Sequence, residues 1–311
     1  MLFGWAIGSE GTRDVSYTVR LPLTLSPGSN LPDGKALSVA GHDATIRKED
    51  FVHVLEVRGF ASETAAHDFL CRLYPACAWL GLTCRIGLMF PGVPGEIHYF
   101  EEPQAVSEKS DLFPLTSKKG WSAVDGDYYH DRAVVVPEHK RLMRWMMGRP
   151  HVSIGPPADR AASGLNEAIE LPNIKGVFED AKLSLALELY STSFFERSTN
   201  AQFLTLITAL EALMPKSHQR RSGVRRLQSS GKRIATYVAS LLHDEGAVPD
   251  AEGLVSEVTG LYRLRNKLVH EGAADPGSIQ EAKTRLLDVV RRVLLTLFLQ
   301  VARADSNASG P

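Results

Sequence analysis

Residues 265–272 read Arg-Asn-Lys-Leu-Val-His-Glu-Gly, which sets a permanent cation, an amide and an imidazole within about one and a half helical turns. Leu254, Val258, Leu261, Arg265 and Leu268 recur at helical spacing, so Arg265 falls on the apolar stripe of an amphipathic helix, where a hydrophobe is expected. His270 follows Asn266 by four residues and shares its face, while Arg265 lies roughly 140° round the helix from His270. Gly272 is placed to end the helix, so His270 sits in a last turn that favours the imidazolium. A guanidinium that stays charged beside an imidazole that titrates near neutrality suits a phosphodiester, one neutralising the phosphate and the other moving the proton.

A bare charge on an apolar stripe is costly, so a partner is expected. The stripe over residues 203–214 reads Leu204, Ile207, Glu211 and Met214, which puts a carboxylate on a second core face. Glu211 is therefore expected to pair with Arg265 across two packed helices, as the structural partner of the motif. Between Glu211 and Asp244 there is no acidic residue, and the run carries Lys216, Arg220, Arg221, Arg225, Arg226, Lys232 and Arg233. This is either a solvated face or a surface that meets nucleic-acid phosphates without reading bases, with Arg220, Arg221, Arg225, Arg226, Lys232 and Lys267 as the candidate RNA contacts. Residues 125–131, Asp-Gly-Asp-Tyr-Tyr-His-Asp, gather three carboxylates and one His, but no second ligand group accompanies them. No metal site and no cofactor are assigned, and no phosphate-binding Gly loop or nucleophile elbow is present.

Arg-Asn-x-x-x-His near the end of a fourth helix, with Ala-Leu-Glu-Ala-Leu over 209–213 in an earlier one, resembles the HEPN superfamily, and most closely its Apea-like branch. The resemblance covers residues 172–304. It implies a metal-independent endoribonuclease whose catalytic residues are Arg265, Asn266 and His270, working on RNA in a site shared across a homodimer. It also implies a regulated toxin or antiviral effector, with Glu211 at the acidic position of the Apea-like signature. The alternative on the same residues is an inactive dimeric scaffold or nucleic-acid-binding module, in which Glu211 satisfies Arg265 and His270 caps a helix end.

The elements that must position these residues fall into two halves. Residues 172–304 hold 18 Lys and Arg against 14 Asp and Glu, whereas residues 1–171 hold 17 against 21, so the C-terminal half is the one expected to meet a polyanion. With 44% hydrophobic and 23% charged residues, composition places the chain among ordinary globular proteins. Cys71, Cys77 and Cys84 match no zinc spacing and read as reduced, buried thiols of a cytoplasmic protein. The N-terminus lacks a basic segment of the signal-peptide kind, and the longest apolar run, 293–301, is far below the ~20 residues that span a bilayer, so no membrane partner is expected.

The predicted fold class is an α+β N-terminal domain over residues 1–150, a linker over 151–171, an all-α five-helix HEPN-like bundle over 172–304 and a disordered tail over 305–311. In the first half, Tyr17–Leu25 alternates as a half-buried strand that Pro22 marks as an edge, or its end. Short strands over 36–39 and 44–47 and a longer one over 51–60 follow. Ser62 caps a helix to Gly81 that Pro75 should kink or divide, followed by strands over 83–90 and 132–137 and a helix over 138–147. This half has no recognisable ligand site, and the resemblance implies a sensor that switches the dimer in response to an unknown trigger. In the second half the helices are expected from 174, with Phe178, Ala181, Leu185 and Leu189 on one stripe, then over 203–214, 224–243, the motif helix, and 278–301.

Overall fold

The computed structural model describes residues 17–27, 29, 31–49, 52–89, 134–137, 157–215, 230–246, 249–272 and 275–304. Strands β1 (Tyr17–Leu25), β2 (Ala36–Val39), β3 (His42–Glu49), β4 (Val52–Phe60), β5 (Leu88–Met89) and β6 (Val134–Pro137) form one antiparallel sheet in the order β2-β3-β4-β1-β5, with β6 also on β1. Alternation decides which side chains meet α1 (Glu63–Cys84). Val19, Leu21 and Leu23 of β1 align with Val57, Leu55 and His53 of β4, and all are buried. The β2–β3 hairpin closes on Ala40 and Gly41, both at positive φ, which matches the twist that two-residue turns require.

β1 is an internal strand rather than the expected edge. It carries β4 on one side, and β6 and β5 on the other, beside Tyr17–Arg20 and Thr24–Leu25 respectively. Pro22 falls in the interval between those two short partners, where among the described residues no strand asks that edge for a donor. The opposite sheet face is also buried: Arg20 and Glu56 are each 8% exposed and pair at 3.4 Å. The expected half-buried strand is thus covered on both faces, with an ion pair on the second.

α1 runs unbroken through Pro75. The missing donor leaves the Cys71 carbonyl without its helical partner, but residues 73–82 are buried throughout and packing holds the helix together. Ser62 caps it as expected, accepting from the Ala65 N–H at 3.1 Å. The helix reaches Cys84, so the strand expected over 83–90 shrinks to Leu88–Met89.

The expected linker contains α2 (Ala158–Ile169), whose Ala161, Leu165, Ala168 and Ile169 pack into the core. Pro157, inside the expected linker, is the N-cap of α2, where its φ of -63° fits the proline ring and no helical donor is required of it. Asn166 on α2 accepts from the Ala40 N–H at 2.7 Å and donates to the Ser38 carbonyl at 2.9 Å, gripping the β2–β3 turn.

Six helices, where five were expected, fall within 172–304 among the described residues: α3 (Gly176–Glu179), α4 (Ala181–Ser193), α5 (Thr199–Ala212), α6 (Ser230–Asp244), α7 (Ala251–Glu271) and α8 (Pro276–Arg303). Asp180 leaves helical geometry and accepts from the Lys182 and Leu183 N–H groups, dividing the first expected helix and resetting its phase. The buried stripe of α4 is therefore Leu183, Ala186, Leu187 and Tyr190, while Leu185 is 47% exposed.

α8 is the common element, in contact with α1 and with every helix from α3 to α7. Trp79 of α1 lies 5.0 Å from Phe298 ring to ring, Arg291 donates to the Leu82 carbonyl at 2.6 Å, and Arg85 meets Asp288 at 3.1 Å. One hydrophobic cluster extends from Val19 to Ala302 across both halves. No helix among the described residues is long and apolar enough to cross a membrane. The 125–131 acidic cluster, the 138–147 helix, Arg220, Arg221, Arg225, Arg226 and the tail lie outside the described residues.

Candidate functional site

α7 carries the motif and is defined at both ends by its caps. Asp250 accepts from the Gly253 N–H at 2.8 Å to start it, and Gly272, at φ +69°, ends it by donating to the Leu268 carbonyl at 3.2 Å. Leu254, Val258, Leu261 and Leu268 are buried, as the stripe requires, and Arg265 between them is half-buried. Asn266, Lys267 and His270 are exposed. Arg265 Nη1 donates to Asn266 Oδ1 at 3.3 Å, which turns the guanidinium from the core stripe toward the face that Asn266 and His270 share.

Glu211 stands in the last turn of α5, at the negative end of that helix, where a carboxylate is locally unfavoured. Lys182 of α4 donates to the Met214 carbonyl at 2.5 Å and places a cation at the same helix end. The expected Glu211–Arg265 ion pair is not formed: the ion pairs among the described residues lie elsewhere. Glu211 acts on Tyr262 through its charge, while the buried Tyr262 hydroxyl has no hydrogen-bond partner among the described residues. Tyr262 is 4% exposed, and burial first, then the Glu211 charge and its contact with the hydroxyl, hold the phenol well above its usual range, with Arg265 opposing. That contact falls short of regular hydrogen-bond geometry.

Tyr262 is a buried neighbour of the motif that the sequence reading does not single out. It precedes Arg265 by three, so the two are neighbours on the helix, a signal that was available. Its backing comes from α6, where a Cβ at Gly231 would lie 2.7 Å from Tyr262 Cβ. This close approach sets the start of α6 beside the motif half of α7, bringing exposed Lys232 and half-buried Arg233 to the same neighbourhood.

On another side of α7, a shallow groove of about 400 Å³ runs between α7 and α8, lined by Glu257, Gly260, Leu264, Glu281 and Arg285 among others. It does not include Arg265, Asn266 or His270. Among the described residues no three His, Cys, Asp or Glu side chains gather as a metal site would need. Burial pushes the Cys77 thiol up to about 12 and raises Cys71 and Cys84, so none of the three is a ready thiolate.

Comparison with models of protein families, with curated proteins and with solved structures gives no match.

Proposed function

We propose that the helical half is a HEPN-like module of a metal-independent endoribonuclease, acting in the cytoplasm as a regulated toxin or antiviral effector. The observation that carries the reading is the hydrogen bond from Arg265 to Asn266, which aims a half-buried cation at the exposed face bearing His270. A phosphodiester held there meets a fixed positive charge, an amide and a proton carrier.

In that reaction His270 takes the proton from a ribose 2′-hydroxyl as its oxygen attacks the adjacent phosphorus. The bond to the 5′-oxygen of the next nucleotide breaks, and that oxygen leaves as a hydroxyl after gaining a proton. The products are a cyclic phosphate and a 5′-hydroxyl. Arg265 neutralises the charge that develops on the non-bridging oxygens, and Asn266 orients the phosphate or the imidazole. A homodimer would set two such trios round one two-fold axis and supply the second proton carrier. Lys232 and Lys267, with Arg220, Arg221, Arg225 and Arg226, would hold flanking phosphates without base specificity.

The test is cleavage of a labelled structured RNA in EDTA by the wild type and by His270→Ala. Products from the wild type alone are expected, and equal cleavage by both would remove His270 from the mechanism. The scaffold reading draws on the half-burial of Arg265 beside Tyr262 and Glu211, and no cleavage by either protein would favour it.

A further inference from the structure

The end of α1 sets an arginine where glycine is favoured. Arg85 is the C-cap of that helix at φ +57°, a left-handed position that glycine fills at no steric cost. Its guanidinium crosses to α8 and meets Asp288 Oδ1 at 3.1 Å. Asp288 Oδ2 is held at 2.9 Å by Arg292, one turn further along α8. Arg291, which shares that face at a spacing of three, gives its Nε–H to the Leu82 carbonyl at 2.6 Å.

Three guanidiniums thus gather round one carboxylate, both of whose oxygens are taken. The Nη groups of Arg291 make no hydrogen bond or ion pair among the described residues, and Arg292 Nε is buried without an acceptor there. Tyr190 stands unsatisfied at the same seam, 1% exposed and with no partner for its hydroxyl among the described residues. Its ring meets Phe194 at 5.2 Å, and Phe194 closes against Gly87, two residues past Arg85. An ion pair built only to join two halves needs one cation for one anion. Here two positive charges are left in excess, and water reaches them, since the Arg85 side chain is 59% exposed.

We propose that this seam between α1 and α8 binds a terminal phosphate group, taken by Arg85 and the free fork of Arg291 with Arg292 behind them, and that Asp288 is the group the phosphate displaces from Arg85. The charge fits: a phosphate monoester carries about −1.5 to −2 at neutral pH, whereas a diester in an RNA backbone carries a single charge. The geometry fits as well, because a guanidinium offers paired donors to phosphate oxygens. Arg291 is fixed in advance by the Leu82 carbonyl, and the exposed Arg85 side chain is free to turn onto the ligand. The site shares no residue with the Arg265, Asn266 and His270 trio and stands whether or not that trio cuts RNA.

The test follows the Arg291 Nε–H resonance of the full chain at about 0.15 M salt. Three probes are titrated: inorganic phosphate, a nucleoside 5′-monophosphate, and a short oligoribonucleotide without a terminal phosphate. The first two are expected to shift the resonance and saturate below about 10 mM, and the third to leave it in place. A nucleotide that binds more tightly than inorganic phosphate supports the site and shows that it takes the esterified group. An equal shift by the oligoribonucleotide would overturn the assignment to a terminal phosphate. Arg85→Gly suits the local backbone, so the fold is expected to hold while phosphate binding weakens roughly tenfold or more. Asp288→Asn removes the competing carboxylate and is expected to strengthen binding roughly threefold. No shift in the wild type, or unchanged binding in Arg85→Gly, overturns the proposal. Should Arg85→Gly fail to fold, Asp288→Asn decides by itself, because binding no better than wild type is what a merely structural ion pair gives.

Discussion

Two glycines inside helices meet opposite surroundings, and the same substitution should therefore act with opposite sign. At Gly231, in the first turn of α6, an added Cβ would lie 2.7 Å from Tyr262 Cβ, 3.0 Å from Cγ and 3.3 Å from Cδ1. The nearest of these atoms is the root of a side chain, so relief requires α6 and α7 to separate rather than a rotamer to change. Overpacking of this kind costs about 1–3 kcal/mol. Replacing glycine in a helix returns at most about 1 kcal/mol, and less in a first turn than in the interior. Gly231→Ala is thus expected to destabilise by about 1–2 kcal/mol, a fall of roughly 1.5–3 °C in Tm for a chain of this size.

Gly260 sits in the interior of α7, exposed, with nothing within 4 Å of its added Cβ. There only the helix gain remains, and Gly260→Ala is expected to stabilise by up to about 1 kcal/mol. Urea denaturation of the two variants beside wild type, followed by far-ultraviolet circular dichroism, gives the comparison directly. A Gly231→Ala protein as stable as wild type would refute the close α6–α7 approach, and with it the backing of Tyr262. Shifts of the same sign in both variants would do so as well.

Two further predictions concern the first half. Asn166→Ala removes both bonds to the β2–β3 turn, at 2.7 and 2.9 Å, and strips the Ala40 N–H of its acceptor at a residue already at positive φ. A loss of about 1–2 kcal/mol is expected, with faster amide exchange at Ala40 as its local sign, and unchanged exchange there would count against the grip. His53, 5% exposed, is held down to about 4 from 6.5, by burial first and then by Lys48, with Asp33 opposing. The unfolded chain binds that proton first, so the contribution of the neutral ring is whole above about pH 6.5 and is lost as pH falls toward 4, up to about 3 kcal/mol. His53→Gln should flatten that part of the curve of stability against pH, and an equally steep curve in the variant would assign the acid sensitivity to other groups.

Legibility in the sequence followed the strength of the local signal. The α7 stripe is read without error because Leu254, Val258, Leu261 and Leu268 sample one face over four turns and both caps are of strong types, Asp250 and Gly272. The α4 stripe is misread because one capping residue, Asp180, moves the phase, and a stripe drawn across a cap joins two unrelated helices. Pro75 and Pro157 mislead in opposite ways. The first is tolerated by dense packing that only the fold supplies, and the second sits where a helix begins. β1 reads as an edge because Pro22 cannot donate to a ladder, yet that residue falls in the gap between two short partners on one side of an internal strand.

The site shows the same limit at finer scale. That Arg265 and Glu211 both break apolar stripes was legible, and both are half-buried at their helix surfaces. Their pairing was inferred from charge alone, with no account of what else stood between the helices. Arg265 finds an acceptor one residue away instead, the Asn266 side chain, and keeps its half-buried place without a carboxylate. A charged residue on a core stripe therefore signals that a partner exists, but not which one.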